Sequence, residues 1–227
     1  MKFAVIEGLD GSGKSTQISM LHNYLKENNI AYEYLHFPRT DSPIYGDLVA
    51  RFLRGEFGAN DQVNPYLVAL IYAGDRKDAA EIIRGWQASE KLVIVDRYVF
   101  SNIAYQCAKI EKMDEKLKLK DWILNLEYSY HNLPKPDVNV FFDVPFSFTV
   151  ERLSGGRTGT DRDYLQGAVD IHEADMSFQG KVREMYLQMA KTEQSLKMIS
   201  CYDGDKMMEA KNIFALLLGC LRENGII

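Results

Sequence analysis

Eight residues, Gly8-Leu9-Asp10-Gly11-Ser12-Gly13-Lys14-Ser15, constrain this chain more than any other stretch. They match G-x-x-x-x-G-K-[ST] at every fixed position. An apolar run, Phe3 to Ile6, precedes them, and a helical stripe of Ile18, Leu21, Tyr24 and Leu25 follows. Strand, glycine-rich turn and helix in that order make a phosphate cradle. The glycines let backbone N–H groups turn inward on phosphate oxygens, and the helix N-terminus adds partial positive charge. Gly8 through Thr16 is therefore the expected ATP-phosphate site. Lys14 would reach the β- and γ-phosphates, and Ser15 would offer a hydroxyl to Mg2+.

The remaining pattern repeats the alternation. Ala31 to Phe37, Leu92 to Val95, Val138 to Phe142 and, more weakly, Leu196 to Tyr202 read as further strands. Helical patterns fill the gaps: 44–54, 65–84, 101–107, 117–130, 146–153, 168–190 and 206–221. Strands that are apolar throughout, separated by helices, indicate a parallel sheet covered on both faces. The expected fold is a P-loop three-layer α/β/α domain with a five-stranded parallel sheet and a small arginine-rich lid. No linker divides the 227 residues, so 1–227 reads as one domain, with the lid at approximately 152–164 and an inserted helical segment at approximately 109–134. Within the insertion, Lys109 to Lys120 is charge-rich and reads as a solvated helix face.

A net charge of −5 argues against a partner such as nucleic acid or a membrane surface, which would need a clustered cationic face. Any anionic substrate must be held locally. Three cysteines without metal-like spacing, no signal-peptide pattern and no transmembrane-length apolar run point to a cytoplasmic protein with reduced thiols.

Asp96 closes the LVIV run, where this fold needs an acid near the metal. Helix capping is the alternative reading. Asp143 holds the analogous place after VNVFF and is the weaker candidate, since Pro145 follows at once and a turn role is as good. A second anion site is suggested by Phe37-Pro38-Arg39, by Tyr72 and Arg76 four apart on one helix, and by Asp96-Arg97-Tyr98 with Ser101 and Tyr105 following. Arginines from separate strand ends, interleaved with aromatics, suit a nucleoside monophosphate. LSGGR at 153–157 looks like an ABC-transporter signature, but no apolar strand ending in an acid follows it.

At these residues the chain resembles the thymidylate kinase family. The matching pieces are FAVIEGLDGSGKSTQ at 3–17, FPR at 37–39, YAGDR at 72–76, DRYVFSNIAYQ at 96–106 and KPDVNVFFDVP at 135–145. The resemblance implies phosphorylation of dTMP by ATP with Mg2+. It implies that Arg39 and Arg97 hold the acceptor phosphate and that Asp10 orients the acceptor. Tyr72 would stack on thymine beside Phe37, Arg76 would bond a base oxygen, Ser101 would lie near the base, and Tyr105 would lie under the deoxyribose. Gly11 stands where part of the family carries a loop arginine, so Arg152, Arg157 and Arg162 in the lid become the catalytic candidates. His172 or Glu173 would be a polar neighbour of the base, and a homodimer is implied. A kinase of the same fold for another nucleotide or a deoxynucleoside, and a nucleotide-binding module without turnover, are the competing readings.

Overall fold

The computed structural model describes residues 2–155, 160–204 and 206–227, with only the backbone of Thr160 and Asp161. Its centre is β1 (Phe3–Gly8), buried along its whole length. It pairs in parallel with β3 (Leu92–Asp96) on one side and β4 (Val138–Asp143) on the other, so Ala4 lies opposite both Ile94 and Val138. With β2 (Tyr32–His36) and β5 (Leu196–Ser200), the sheet order is β2-β3-β1-β4-β5. The five strands are those expected from the apolar runs.

Side chains alternate across the pleat. Phe3, Val5, Val93, Val95 and Phe141 pack under α3 (Pro65–Ala88), α4 (Val99–Cys107) and α7 (Met176–Thr192). Ala4, Ile6, Ile94, Val140 and Phe142 pack under α1 (Lys14–Glu27) and α8 (Ala210–Glu223). Both faces of the three central strands are sealed, which is why β1, β3 and β4 carry no polar alternation. A satellite core of Val49, Phe52, Leu53 and Val68 joins α2 (Tyr45–Leu53) to α3.

Three helical expectations need correction. The pattern over 168–190 becomes a helix only from Met176, because Asp170 and Asp175 take backbone N–H groups for themselves. The Asp170 carboxylate accepts from His172 N (2.8 Å) in a tight turn, and Asp175 accepts from Phe178 N (3.0 Å) as the N-cap. Helix α8 starts at Ala210, after a short hairpin of β6 (Tyr202–Asp203) and β7 (Lys206–Met207). The inserted segment is α5 (Met113–Leu124) running into a π-helical turn, Asn125–Tyr130. Its charged face is mostly solvated, but Leu119 and Ile123 are core residues, and Lys109, which precedes the helix, has its Nζ buried, contrary to the expected solvated face. Helix α6 (Phe146–Ser154) follows β4 and ends within the segment expected to be the lid.

Gly74 on α3 lies against the Tyr45 ring, and a Cβ there would overlap three of its carbons. Gly74→Ala is expected to cost about 1–3 kcal/mol by overpacking, read as a lower Tm. An unchanged Tm would mean that α2 rides free of α3.

Candidate active site

In a parallel sheet whose strand order reverses at its middle, loops diverge at the carboxyl ends of adjacent strands and open a crevice. Here a cleft of about 1540 Å³ lies beyond β1, β2 and β3. Its floor is the glycine-rich loop from Asp10 to Thr16. Gly8 and Leu9 lie beneath this floor. Their carbonyls accept from Lys14 Nζ at 3.2 and 3.0 Å. Gly8 cannot carry a Cβ, which would come within 2.8 Å of Ser12 Oγ, and Gly11 and Gly13 are left-handed at φ 73° and 84°. A Cβ would thus crowd Ser12 at Gly8 and strain the left-handed backbone at Gly11 and Gly13.

Asp96, at the end of β3, is buried. Its Oδ2 lies 3.2 Å from His36 Nδ1, while its Oδ1 has no hydrogen-bond partner. Burial pulls its pKa up, but His36, Lys14 and Arg97 outweigh that and hold it below the ordinary carboxylate value. The analogous acid after β4, Asp143, is committed elsewhere. Arg183 donates to both its oxygens (2.7 and 2.9 Å) and Tyr202 donates to one (3.0 Å), so it fastens α7 to the sheet.

Asp10 links the phosphate loop to the far wall. Its Oδ1 accepts from Arg97 (2.7 Å), and its Oδ2 accepts from Tyr105 OH (2.7 Å) and Gln179 (3.3 Å). Burial holds the Tyr105 hydroxyl far above its usual pKa, so it stays a donor. Arg97 lies over the Tyr105 ring at 5.3 Å, and its backbone is left-handed at φ 64°, a conformation costing about 1–3 kcal/mol for a non-glycine residue.

The other two arginines are held by carboxylates. Arg39 donates through its backbone N and its Nε to Asp75 (2.9 and 2.8 Å). Arg76, fully buried, forks onto Glu127 at 2.5 and 2.7 Å, and Asn102 donates to the same carboxylate at 2.8 Å. Tyr72 and Phe37 line the cleft with these residues. Sequence reasoning misses Asp75, Glu127 and Gln179. Asp75 is within its reach, inside the YAGDR piece; Glu127 lies in the insertion and gives no local signal.

Ser101 lines the cleft, but its hydroxyl is engaged behind the wall, 2.5 Å from Glu7 and 2.7 Å from Tyr186 OH. Asp170 is pushed up to about 6 by burial and by nearby Asp10. His172, 5.0 Å from the Tyr105 ring, is pushed down to about 3 by burial and by Lys109, so it is a neutral wall residue. Among the lid arginines, Arg152 Cβ stands 3.2 Å from where a Gly11 Cβ would be, and Arg162 pairs with Glu173 at 2.7 Å. Both line the cleft; Arg157 lies outside the described residues.

Sheet order, phosphate loop and cleft define a P-loop α/β nucleotide-binding protein. A profile of the thymidylate kinase family matches residues 6–210. A thymidylate kinase of Mycobacterium tuberculosis is 33% identical over 82% of this chain and 84% of its own length. A probable thymidylate kinase of Saccharolobus solfataricus is 32% identical over 94% and 99%. The solved structure of a thymidylate kinase from Candida albicans superposes with a TM-score of 0.73 over 99% of this chain and 92% of that one, at 24% identity, and shares the fold. The chain belongs to the thymidylate kinase family.

Lys109 borders this site with its Nζ buried, 4.7 Å from the centre of the Phe52 ring, and without a hydrogen-bond partner. Burial pushes its pKa down to about 7. The unfolded chain, with an ordinary lysine near 10.5, therefore binds more protons between these values, and stability is lost as pH falls from 10.5 through 7. Lys109→Met is expected to raise Tm clearly at pH 6 and much less at pH 9.5. Equal gains at both pH values would contradict a buried ammonium as the cause.

Proposed function

We propose that this protein transfers the γ-phosphoryl group of ATP to dTMP, giving ADP and dTDP. The observation that carries this reading is Asp10. A residue of the phosphate loop holds both Arg97 and Tyr105 of the opposite wall at 2.7 Å, so donor and acceptor sites adjoin at one point. Arg97 and Arg39, presented after β3 and β2, bind the acceptor 5′-phosphate by charge-assisted pairs. Asp10 orients the acceptor near the transfer point. The acceptor phosphate is already ionised and needs no strong base. Tyr72 stacks on thymine, and Arg76, anchored by Glu127, reaches a base oxygen. Tyr105 lies under the deoxyribose, where a 2′-hydroxyl would have no room.

Lys14 draws charge from the β- and γ-phosphates, and Arg157 and Arg162 are the first two candidates for the lid arginine that neutralises charge on the transferring group. Arg152, packed against Gly11, is the third candidate. Mg2+ fits at Ser15 and Asp96, because both line the cleft and Asp96 Oδ1 is buried with an unused lone pair. No group of three or more His, Cys, Asp or Glu among the described residues is disposed to cage a metal, so phosphate oxygens and water would complete its shell. When bound, the ion offsets negative charge on the phosphates.

We also read 1–227 as one catalytic domain with its lid near 152–164. No helix among the described residues is long and apolar enough to cross a membrane, and the three cysteines are unbridged, which supports a cytoplasmic setting. Leu67 and Leu70 on α3, 60% and 44% exposed, support a homodimer through this helix.

ADP release with a panel of nucleoside monophosphates should give the highest kcat/KM for dTMP, and Lys14→Ala should lower kcat by roughly 10³-fold at unchanged Tm. A preferred acceptor other than dTMP, or a Lys14→Ala enzyme above a tenth of wild-type kcat, would overturn the assignment. For the dimer, light scattering of Leu67→Glu/Leu70→Glu should report a monomer where the wild type is twice that mass. A wild-type monomer refutes the interface.

A further inference from the structure

The residue before the phosphate loop is a carboxylate with no part in phosphate binding. Glu7, on β1, is fully buried in a strand whose other residues are apolar or glycine. A carboxyl group is costly there unless hydrogen bonds satisfy it. Of its three partners, Ser101 lines the cleft, and Tyr98 and Tyr186 lie behind it. Its Oε1 accepts from the backbone N–H of Tyr98 (3.0 Å), the residue after Arg97. Its Oε2 accepts from Ser101 Oγ (2.5 Å) and Tyr186 OH (2.8 Å). Ser101 Oγ lies in turn 3.4 Å from a guanidinium nitrogen of Arg97. The Arg97 backbone N–H donates to Ile6 O (2.9 Å), one residue before Glu7. The left-handed Arg97 is thus pinned on both sides of its Cα, to Ile6 and to Glu7. Its guanidinium is then aimed by Asp10 in front and Ser101 behind.

We propose that Glu7 is a positioning residue for acceptor binding: with Ser101 and Tyr186 it locks the left-handed turn that aims Arg97 at the acceptor phosphate. The inference rests on the proposed role of Arg97 and deepens it. It also reassigns the Ser101 hydroxyl from the base to the support of Arg97. Tyr186 extends the lock to α7, where its ring stacks on Phe141 of β4 at 4.4 Å. The same β1 residues that lead into the donor loop therefore hold the acceptor arginine, and the two phosphate sites share one rigid mount.

The test compares Glu7→Ala, Glu7→Gln, Tyr186→Phe and Arg97→Ala, alone and in pairs with Arg97→Ala. Glu7→Ala should raise KM for dTMP by roughly tenfold or more, the scale of coupling between residues in contact, and leave KM for ATP within about twofold. Glu7→Gln keeps an acceptor for Tyr98 N–H and turns an amide toward two hydroxyls that can accept, so it should recover most of that loss. Tyr186→Phe removes one donor, keeps the stacked ring, and should raise KM for dTMP by a smaller factor. In the Arg97→Ala background, Glu7→Ala and Tyr186→Phe should add nothing further to KM for dTMP. Additive effects there, or equal rises in KM for both substrates, would show a structural role only and overturn the proposal. If the Glu7→Ala protein does not fold, Tyr186→Phe decides, and an unchanged KM for dTMP in that variant would also overturn it. If Arg97→Ala itself leaves KM for dTMP unchanged, the reading of Arg97 fails and this proposal with it. If Arg97→Ala raises it and the Glu7 and Tyr186 variants do not, this proposal alone fails.

Discussion

The cleft depends on the register of β1. Parallel pairing on both sides sets Ile6 opposite Asp96 and Gly8 opposite Phe142, so neighbouring strands end at nearly the same level. A slip of one residue would turn Ala4 and Ile6 from α1 and α8 toward α3 and α4, and every buried face would be mismatched. The chain cannot change this register without losing both cores. The loop after β1, Asp96 and Arg97 after β3, and Arg39 beyond β2 thus gather at one edge of the sheet.

Three guanidiniums near one cleft would repel each other if left alone. Each instead has a carboxylate of its own: Asp75 for Arg39, Glu127 for Arg76 and Asp10 for Arg97. Such pairs contribute little net stability, yet deleting one partner of a buried pair costs about 3–5 kcal/mol, because the other charge is stranded. Their value here is geometric. A forked arginine–carboxylate pair fixes the guanidinium plane before any substrate arrives, so less conformational freedom is lost on binding.

The arginines are legible in the sequence and their partners are not, for a physical reason. Loop glycines, strand-end acids and FPR or DRY turns announce themselves within a few residues, because local backbone geometry demands them. Glu127 meets Arg76 across 51 positions of sequence, and Glu7 meets Tyr186 across 179. Only the folded chain makes such pairs visible. The apolar period also runs through Asp170 and His172 as though a helix continued, since periodicity does not register a carboxylate that captures a backbone N–H. Glu7 escapes notice because it sits inside an apolar strand. A buried carboxyl flanked by Ile6 and Gly8 is itself a signal, although one that does not name its partners.

These pairings also answer how a chain of net charge −5 holds two phosphate-bearing substrates. A long-range positive field would be screened within about 8–10 Å at physiological salt. Capture at close range is screened much less, because the donors are already aimed and partly desolvated. In the proposed site, an arriving phosphate does not meet a bare cation. It exchanges places with Asp10 on Arg97 and adds to Asp75 on Arg39, substituting one oxyanion for another at low reorganisation cost. A carboxylate released from Arg97 keeps Tyr105 and Gln179 as donors, so it remains held beside the loop. In that proposed exchange, Asp10 is the stand-in on Arg97 for the phosphate oxygens of the acceptor.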